Sequence, residues 1–243
     1  MGGVGGPEKF IVNGKRLDGR KLDELRPLMI KAGVIPNADG SAYLKMGSTE
    51  VLVSVYGPRE VFPKHLTDPN KAILGCLYDM VSFSTSDRNR PGPSRRSTEI
   101  SKVIRESLLP AIFLEKYPRT KIDVYIEIIN ANAGTRCAAT TAASVALADA
   151  GIEMKGLVSS VAVGKIDGKL ALDLFDAEDN FGQADVPLAY ISRTDELTLL
   201  QMDGDLTSDE LKKAIEMGKK ACVRIAETQK AAITERFGKE AKK

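Results

Sequence analysis

Polar and apolar side chains alternate along residues 121–129, Lys-Ile-Asp-Val-Tyr-Ile-Glu-Ile-Ile, and this period of two predicts a β-strand. Residues 138–150 are almost all small, without glycine or proline, which predicts a closely packed helix. Gly134, Thr135 and Arg136 lie between the two elements. The sequence therefore places these three residues where a strand passes into a helix N-terminus.

The same patterns predict further elements on both sides of this junction. Alternating segments bounded by turn residues predict strands at 41–46, 49–56, 74–83, 157–165, 169–174, 186–191 and 197–202. Helical periodicity predicts helices at 97–109, with Ser97 as the N-cap, and at 208–237. Strands outnumber helices and hairpins join most of them, which predicts an α+β fold with helices packed on a mixed sheet.

The predicted elements form one continuous series. No linker-like stretch interrupts the middle of the chain, so we expect a single domain over residues 10–237. A flexible tail is expected at residues 1–9 and a frayed tail at residues 238–243.

The amino-acid composition argues against several classes of protein. Of 243 residues, 43% are hydrophobic and 28% charged, and the net charge of +2 gives no overall basic field for a polyanion. The three cysteines are far apart without metal-ligand spacing, which indicates a reducing compartment, and Cys137 is expected to pack rather than react. No apolar run of membrane-spanning length and no signal-peptide pattern is present, so the expected location is cytoplasmic. A single histidine argues against a His-rich metal site or a Ser-His-Asp hydrolase.

Two groups of residues are typical of phosphate binding. At the helix N-terminus, free N–H groups and the positive dipole end favour an anion, and Arg136 adds a charged fork beside Gly134 and Thr135. The alternative is a plain tight turn with a solvated arginine. The loop at 84–96 carries four arginines, at positions 88, 90, 95 and 96, which suit a phosphate backbone or a free phosphate. The alternative there is a solvated loop.

An acidic stretch completes the candidate chemistry. Asp179 and Asp185 lie six residues apart across Gly182 at a predicted strand entry. Such carboxylates bind Mg²⁺ or act as a general acid, although a solvated surface loop is the alternative. Two cationic sites and a carboxylate pair together match the needs of phosphoryl transfer.

With these residues in view, the chain resembles the ribonuclease PH family, most closely the catalytic ring subunit of the archaeal exosome. The likeness runs from about residue 16 to about residue 237. It rests on Arg16-Leu-Asp-Gly-Arg20, Pro93-Ser-Arg-Arg96 followed by Glu99-Ile100, Asn132-Ala-Gly-Thr-Arg136, Ser144-Val-Ala-Leu-Ala-Asp-Ala-Gly151, Val161-Ala-Val-Gly164, and Glu178-Asp179 with Ala184-Asp185. Several ordered motifs make the likeness specific.

The resemblance implies a ribonuclease PH-like fold, with mixed sheets from βαβα-type units, and 3′→5′ phosphorolysis of RNA. Inorganic phosphate would be a co-substrate that releases nucleoside diphosphates, and the reverse reaction would tail RNA. It implies the following roles: phosphate binding by Gly134, Thr135, Arg136 and Arg96; RNA binding by Arg95, Arg96, Lys64 and His65; catalysis, and Mg²⁺ binding, by Asp179 and Asp185. Pro187 stands where a related phosphorylase has a lysine near the metal, which weakens the metal expectation.

The resemblance also implies partners. A paralogous inactive subunit would complete a hexameric ring of three heterodimers, RNA 3′ ends would enter its pore, and RNA-binding cap subunits would sit on one face. Two alternatives within the family are a homohexameric ribonuclease PH that trims tRNA 3′ ends and a non-catalytic, RNA-guiding ring subunit. A metal-dependent hydrolytic exonuclease is a third.

Overall fold

The computed structural model of the chain describes residue 7, residues 9–12 and residues 14–240, without the side chains of residues 239 and 240. Most of the tail expected at residues 1–9, and residues 241–243 of the second expected tail, lie outside this part. Strands are β1 (Ile11–Val12), β2 (Lys15–Arg16), β3 (Leu28–Ala32), β4 (Gly40–Met46), β5 (Thr49–Glu60), β6 (Ile73–Met80), β7 (Thr120–Asn130), β8 (Val158–Ile166), β9 (Lys169–Leu172), β10 (Ala184–Ile191), β11 (Glu196–Leu200) and β12 (Asp203–Gly204). Helices are α1 (Arg95–Leu108), α2 (Thr135–Asp149), α3 (Asp176–Phe181) and α4 (Ser208–Glu240), with 3-10 turns at Lys64–Leu66, Leu109–Ala111 and Leu114–Lys116.

The strands form two larger sheets in the described part of the chain. The first has the order β3-β4-β5-β7-β6, in which β6 and β7 are parallel and the other neighbours antiparallel. The second has the order β11-β10-β8-β9, with β12 also paired to β10, and all of its pairs are antiparallel. The expected α+β class is confirmed. The expectation of a mixed sheet holds for the first sheet, whereas hairpin connections make the second purely antiparallel.

Three long helices lie between the two sheets. Helix α1 contacts β6 and β11, α2 contacts β4, β5 and β8, and α4 contacts β3, β8 and β10. One apolar cluster therefore joins both sheets through the helices, with Val53 and Ile126 from one sheet and Val161 and Leu188 from the other. Helix α4 continues to Glu240, into the segment expected to fray. Over the described residues, no helix combines the length and apolar character needed to cross a membrane.

The small residues of α2 let it pack closely against the first sheet. Only Arg136, Ala148 and Asp149 of this helix are not fully buried. A side chain at Gly40 on β4 would place its Cβ 2.3 Å from the carbonyl oxygen of Ala146, so glycine is required at this approach. The predicted close packing of this helix is confirmed, and it holds the end of α2 that carries Arg136 in a fixed position.

The start of α1 differs from the prediction. The N-cap is Ser94, whose hydroxyl accepts the Ser97 N–H at 3.0 Å, and Ser97 accepts the Ser94 N–H at 2.7 Å. Ser97 is thus the second half of a capping box, three residues inside the helix. The predicted cap was wrong because both serines fit the role, and the consequence is that Arg95 and Arg96 belong to the first helical turn rather than to a loop.

Candidate active site

A cavity of about 320 Å³ opens where the two sheets and the helix layer meet. Its lining includes six of the candidate site residues named from the sequence: Arg96, Gly134, Thr135, Arg136, Asp179 and Asp185. The lining residues are Met80, Thr85, Asn89, Arg96, Ala131, Ala133, Gly134, Thr135, Arg136, Cys137, Ala162, Asp176, Asp179, Asn180, Asp185 and Pro187. Segments that are remote in sequence therefore converge on one space.

The turn between β7 and α2 forms one wall of the cavity. Ala133 and Gly134 both have left-handed backbones, with φ of 57° and 61°. Gly134 is the N-cap of α2, so the first N–H groups of the helix have no intrahelical acceptor. The buried Thr135 hydroxyl lies 3.0 Å from that of Tyr78. A helix N-terminus at this point, as the sequence predicted, creates a wall suited to an anion.

Two arginines bring positive charge to the cavity. Arg136 projects from the first turn of α2, and its Nη1 donates to Oε1 of Gln201 at 2.5 Å. Arg96 reaches the cavity from the first turn of α1. Arg95 does not line the cavity, and its RNA-binding role stays a prediction. Of the loop before α1, Thr85 and Asn89 line the cavity, whereas Arg88 and Arg90 do not.

The two candidate carboxylates face the same space from different elements. Asp179 lies on the short helix α3 and not at a strand entry, because residues 176–181 close one helical turn after β9. Asp185 is the second residue of β10 and pairs with Asp203 on β12. Its Oδ1 is buried and has no hydrogen-bond partner among the described residues. The pair therefore presents oxygen ligands opposite the cationic wall.

Burial changes the proton affinity of both carboxylates. It raises the pKa of Asp185 to about 7, an effect strengthened by the charge of Asp179 and opposed by Arg136. Burial also raises the pKa of Asp179, while Arg96 and Arg136 oppose the rise. Two interacting acids of this kind titrate as a pair, so the metal-free site retains a proton near neutral pH.

The residues at this site fit a Mg²⁺ ion in part. Magnesium is commonly held by one or two carboxylates together with substrate phosphate oxygens, and the unpartnered Oδ1 of Asp185 beside Asp179 offers such oxygens. No group of three or more His, Cys, Asp or Glu side chains over the described residues is arranged to hold a metal by protein ligands alone. An ion here would depend on substrate oxygens to complete its shell.

Comparison with known proteins identifies the family. Domain 1 of the 3′ exoribonuclease family, RNase PH, matches residues 24–153, and domain 2 matches residues 156–221. The chain belongs to this family. The resemblance seen in the sequence is thus confirmed, and the family description supports 3′ exoribonuclease activity for the chain.

Two named relatives match this chain over nearly the whole length of both proteins. The exosome complex component Rrp41 of Methanopyrus kandleri is 53% identical over 96% of this chain and 98% of the relative. The component of the same name from Archaeoglobus fulgidus is 54% identical over 95% and 91%.

Solved structures of low sequence identity share the fold. Rice Rrp46 superposes with a TM-score of 0.80 and 24% identity, over 90% of this chain and all of that one. A chain of the Archaeoglobus fulgidus exosome with RNA bound to the active site gives 0.77 and 23%, over 88% and 92%. The expected ribonuclease PH-like fold is confirmed.

Lys64 and His65 lie apart from the cavity of this family member. Both belong to an exposed 3-10 turn, and Lys64 lies 3.6 Å from Glu60 in an exposed ion pair. Lys64 and Arg119 line a separate surface cleft. The structure therefore does not bring these residues to the carboxylates, and their contact with RNA stays a prediction.

Sequence reasoning missed several residues that shape the site. Gln201 binds Arg136 from 65 positions away, and Arg26 and Thr49 contact the turn before α2. Arg16 forms a fully buried ion pair with Glu178 on α3, next to Asp179. In the sequence, Arg16 and Glu178 both belong to motifs that resemble those of the family. The motifs do not show that the two side chains form an ion pair.

Cys137 lines the cavity but remains unreactive. Its side chain is 1% exposed, and burial raises the pKa of the thiol to about 12. A thiol with this pKa is protonated at neutral pH and is a poor nucleophile. These values support the expectation that Cys137 packs rather than reacts.

Proposed function

We propose that the chain is the catalytic subunit of an archaeal-type exosome ring and degrades RNA from its 3′ end by phosphorolysis. Inorganic phosphate attacks the last phosphodiester of the RNA, the bond from phosphorus to the 3′ oxygen breaks, and a nucleoside diphosphate leaves. The observation that carries the proposal is the cavity in which a helix N-terminus, two arginines and two carboxyl groups of raised pKa face one another.

Each wall of the cavity supports one part of this reaction. The N–H groups at Gly134 and Thr135, with Arg136, suit the attacking phosphate, and Arg96 suits the neighbouring RNA phosphate. The departing 3′ oxygen needs a proton, and the pair of Asp179 and Asp185 retains one near neutral pH. A Mg²⁺ ion bound by the same pair would neutralise phosphate charge.

The outer face of the first sheet supports the assembly into a ring. Leu77 and Tyr125 pair across β6 and β7 and are 50% and 39% exposed. Exposed apolar neighbours of this kind are typical of a face that another subunit covers. The relatives are named as components of an exosome complex, which also supports assembly. The proposal includes a paralogous ribonuclease PH-like subunit and RNA-binding caps because the sequence resemblance implies them.

A phosphate-dependence assay tests the reaction. A 5′-labelled oligoribonucleotide is incubated with the protein and Mg²⁺, with and without inorganic phosphate, and the released nucleotides are identified. We expect shortening only with phosphate and nucleoside diphosphates as products. Nucleoside monophosphates released without phosphate would show hydrolysis and contradict the proposal.

The same assay on the chain alone and with its paralogous partner tests the assembly. We expect full activity and a hexameric mass only for the mixture. A stable, active hexamer of the chain alone would instead identify a homohexameric ribonuclease PH. A mixture that binds RNA but never shortens it would identify an RNA-guiding subunit.

A further inference from the structure

The turn that precedes α2 is held from outside the cavity by Arg26 and Thr49. Nη1 of Arg26 donates to the carbonyl oxygen of Asn132 at 2.5 Å. The Thr49 hydroxyl lies 3.0 Å from the carbonyl oxygens of both Asn132 and Ala133, and it accepts the Asn132 N–H at 3.1 Å. Arg26 and Thr49 are 6% and 0% exposed, and neither lines the cavity.

This turn needs such support because of its backbone. Ala133 and Gly134 are consecutive left-handed residues, and the first carries a side chain that makes this conformation costly. Such a conformation persists only where surrounding contacts fix it. Arg26 and Thr49 contact the two carbonyl groups at the start of the turn, those of Asn132 and Ala133. Arg26 also lies close to the next residue, since its Nη2 would be 3.1 Å from a Cβ at position 134.

Arg26 also binds the segment that leads to the catalytic carboxylates. Its Nε and Nη2 donate to the two carboxylate oxygens of Asp173 at 3.0 Å and 2.7 Å, and its backbone N–H donates to Oδ2 at 2.8 Å. Asp173 follows β9 and precedes α3, the helix of Asp179. One guanidinium group thus bridges the anion-binding turn and the base of α3.

The segment around Asp173 is itself fixed by further buried arginines. Arg16 and Arg20 each donate through Nη2 to the Asp173 carbonyl oxygen at 3.0 Å, and Arg16 pairs with Glu178 on α3. These buried contacts anchor the base of α3, so Arg26 connects the turn to a segment with several other partners.

We propose that Arg26 is a positioning residue for phosphorolysis: it sets the anion-binding turn at a fixed distance from α3 and so aligns the attacking phosphate with Asp179. Thr49 assists by fixing the same carbonyl groups. This inference rests on the proposed function. Arg26 itself is buried outside the cavity and would act without touching the substrate.

Arg26→Lys is the informative variant. Lysine keeps the charge and can still pair with Asp173, but a compact ammonium group cannot replace the planar fork that spans both partners. Arg26→Gln would leave the buried Asp173 carboxylate with only the longer 3.6 Å ion pair to Arg20 and would impair folding. Thr49→Val removes the hydroxyl contacts, and Thr49→Ser restores them. Arg193→Lys, at an exposed position after β10, is the matched control.

Two measurements on the full chain, assembled with its ring partner, test the proposal. The first is the dependence of the RNA-shortening rate on phosphate concentration. For Arg26→Lys and Thr49→Val we expect the KM for phosphate to rise at least about tenfold, as the loss of a hydrogen bond that aligns an anion site predicts. RNA affinity without phosphate should stay within about twofold, the size of a negligible change in binding free energy. Thr49→Ser and Arg193→Lys should match the wild type.

The second measurement is the rise in melting temperature that inorganic phosphate alone produces, which requires no turnover. We expect this rise in the wild type and its loss in Arg26→Lys. A variant that melts earlier but keeps the wild-type phosphate response and KM would show a merely structural role and overturn the proposal. Phosphate-independent turnover by the wild type would instead defeat the proposed function, so the two failures are distinguishable.

Discussion

At the scale of single residues, Asp185 has the most unusual environment at the candidate site. A buried carboxylate oxygen without a hydrogen-bond partner is costly in its charged form, and the nearby Asp179 adds repulsion. This environment lowers the stability of the folded chain when Asp185 is charged. It also favours the protonated carboxyl group near neutral pH.

This environment makes stability depend on pH. Because the pKa of Asp185 is about 7 in the folded chain, the stabilisation of its protonated form is complete below about pH 4 and is lost as pH rises through about 7. In the presence of a chelator, Asp185→Asn should therefore stabilise the protein at pH 8 by about 1 to 4 kcal/mol and have little effect at pH 4. Thermal unfolding across this range checks it, with the exposed Asp205→Asn as control. An equal effect at both pH values would contradict the expectation.

Asp179 should be the residue whose loss is most damaging to turnover. Asp179→Asn removes a proton donor or metal ligand and should lower kcat by about 10² to 10⁴-fold, the range for loss of a general acid. RNA affinity should remain within about twofold because a lost negative charge does not weaken phosphate binding. Single-turnover RNA shortening and filter binding measure the two quantities, and Asp209→Asn on α4 is an exposed control. A loss of RNA binding in the Asp179 variant would refute this role.

The sequence predicted some residues of the site and not others, for a physical reason. Gly134, Thr135 and Arg136 were found because a strand-to-helix junction is a local pattern. Arg26 and Gln201 were not found, because their contacts join positions 106 and 65 apart and exist only after the sheets have packed.

At the scale of elements, the start of α1 decides where Arg96 points. The reciprocal bonds of Ser94 and Ser97 fix the first helical turn, and Arg96 lies within it. The sequence located this helix within two residues, but it could not choose between two serines that are equally good caps. The error matters, since it moves two arginines from a loop to a rigid element.

Removing one half of the capping box tests this element. Ser97→Ala should lower stability by about 1 kcal/mol, the usual effect of a lost capping contact, and should weaken RNA binding because Arg96 is less well fixed. Chemical denaturation and filter binding are the measurements, with Lys102→Ala as an exposed control on the same helix. Unchanged RNA affinity in a destabilised variant would show that the cap does not position Arg96.

At the scale of the whole molecule, polar contacts fix how the helix layer meets the second sheet. The fully buried Gln229 of α4 donates to the carbonyl oxygens of Thr141 on α2 and Val158 on β8, each at 2.9 Å, and accepts from the Ser159 hydroxyl at 2.7 Å. Periodicity predicted a long amphipathic α4. It could not show which residues on its buried face are polar contacts, because that depends on two other elements.

Gln229→Ala should therefore destabilise the whole molecule. Three buried partners would lose their hydrogen bonds, which predicts a loss of about 3 kcal/mol in the free energy of unfolding. Denaturant unfolding checks this value, and the exposed neighbour Lys230→Ala should change stability by less than about 0.5 kcal/mol. A similar effect for both variants would mean that Gln229 contributes only through its volume.

The cavity is lined by residues from position 80 to position 187, and Arg136 at its wall is held by Gln201. The last helix, residues 208–240, then contacts both sheets that enclose the cavity. During synthesis on the ribosome, the complete site therefore forms only after residues 208–240 have emerged. An incomplete chain thus carries the candidate site residues without the cavity that brings them together.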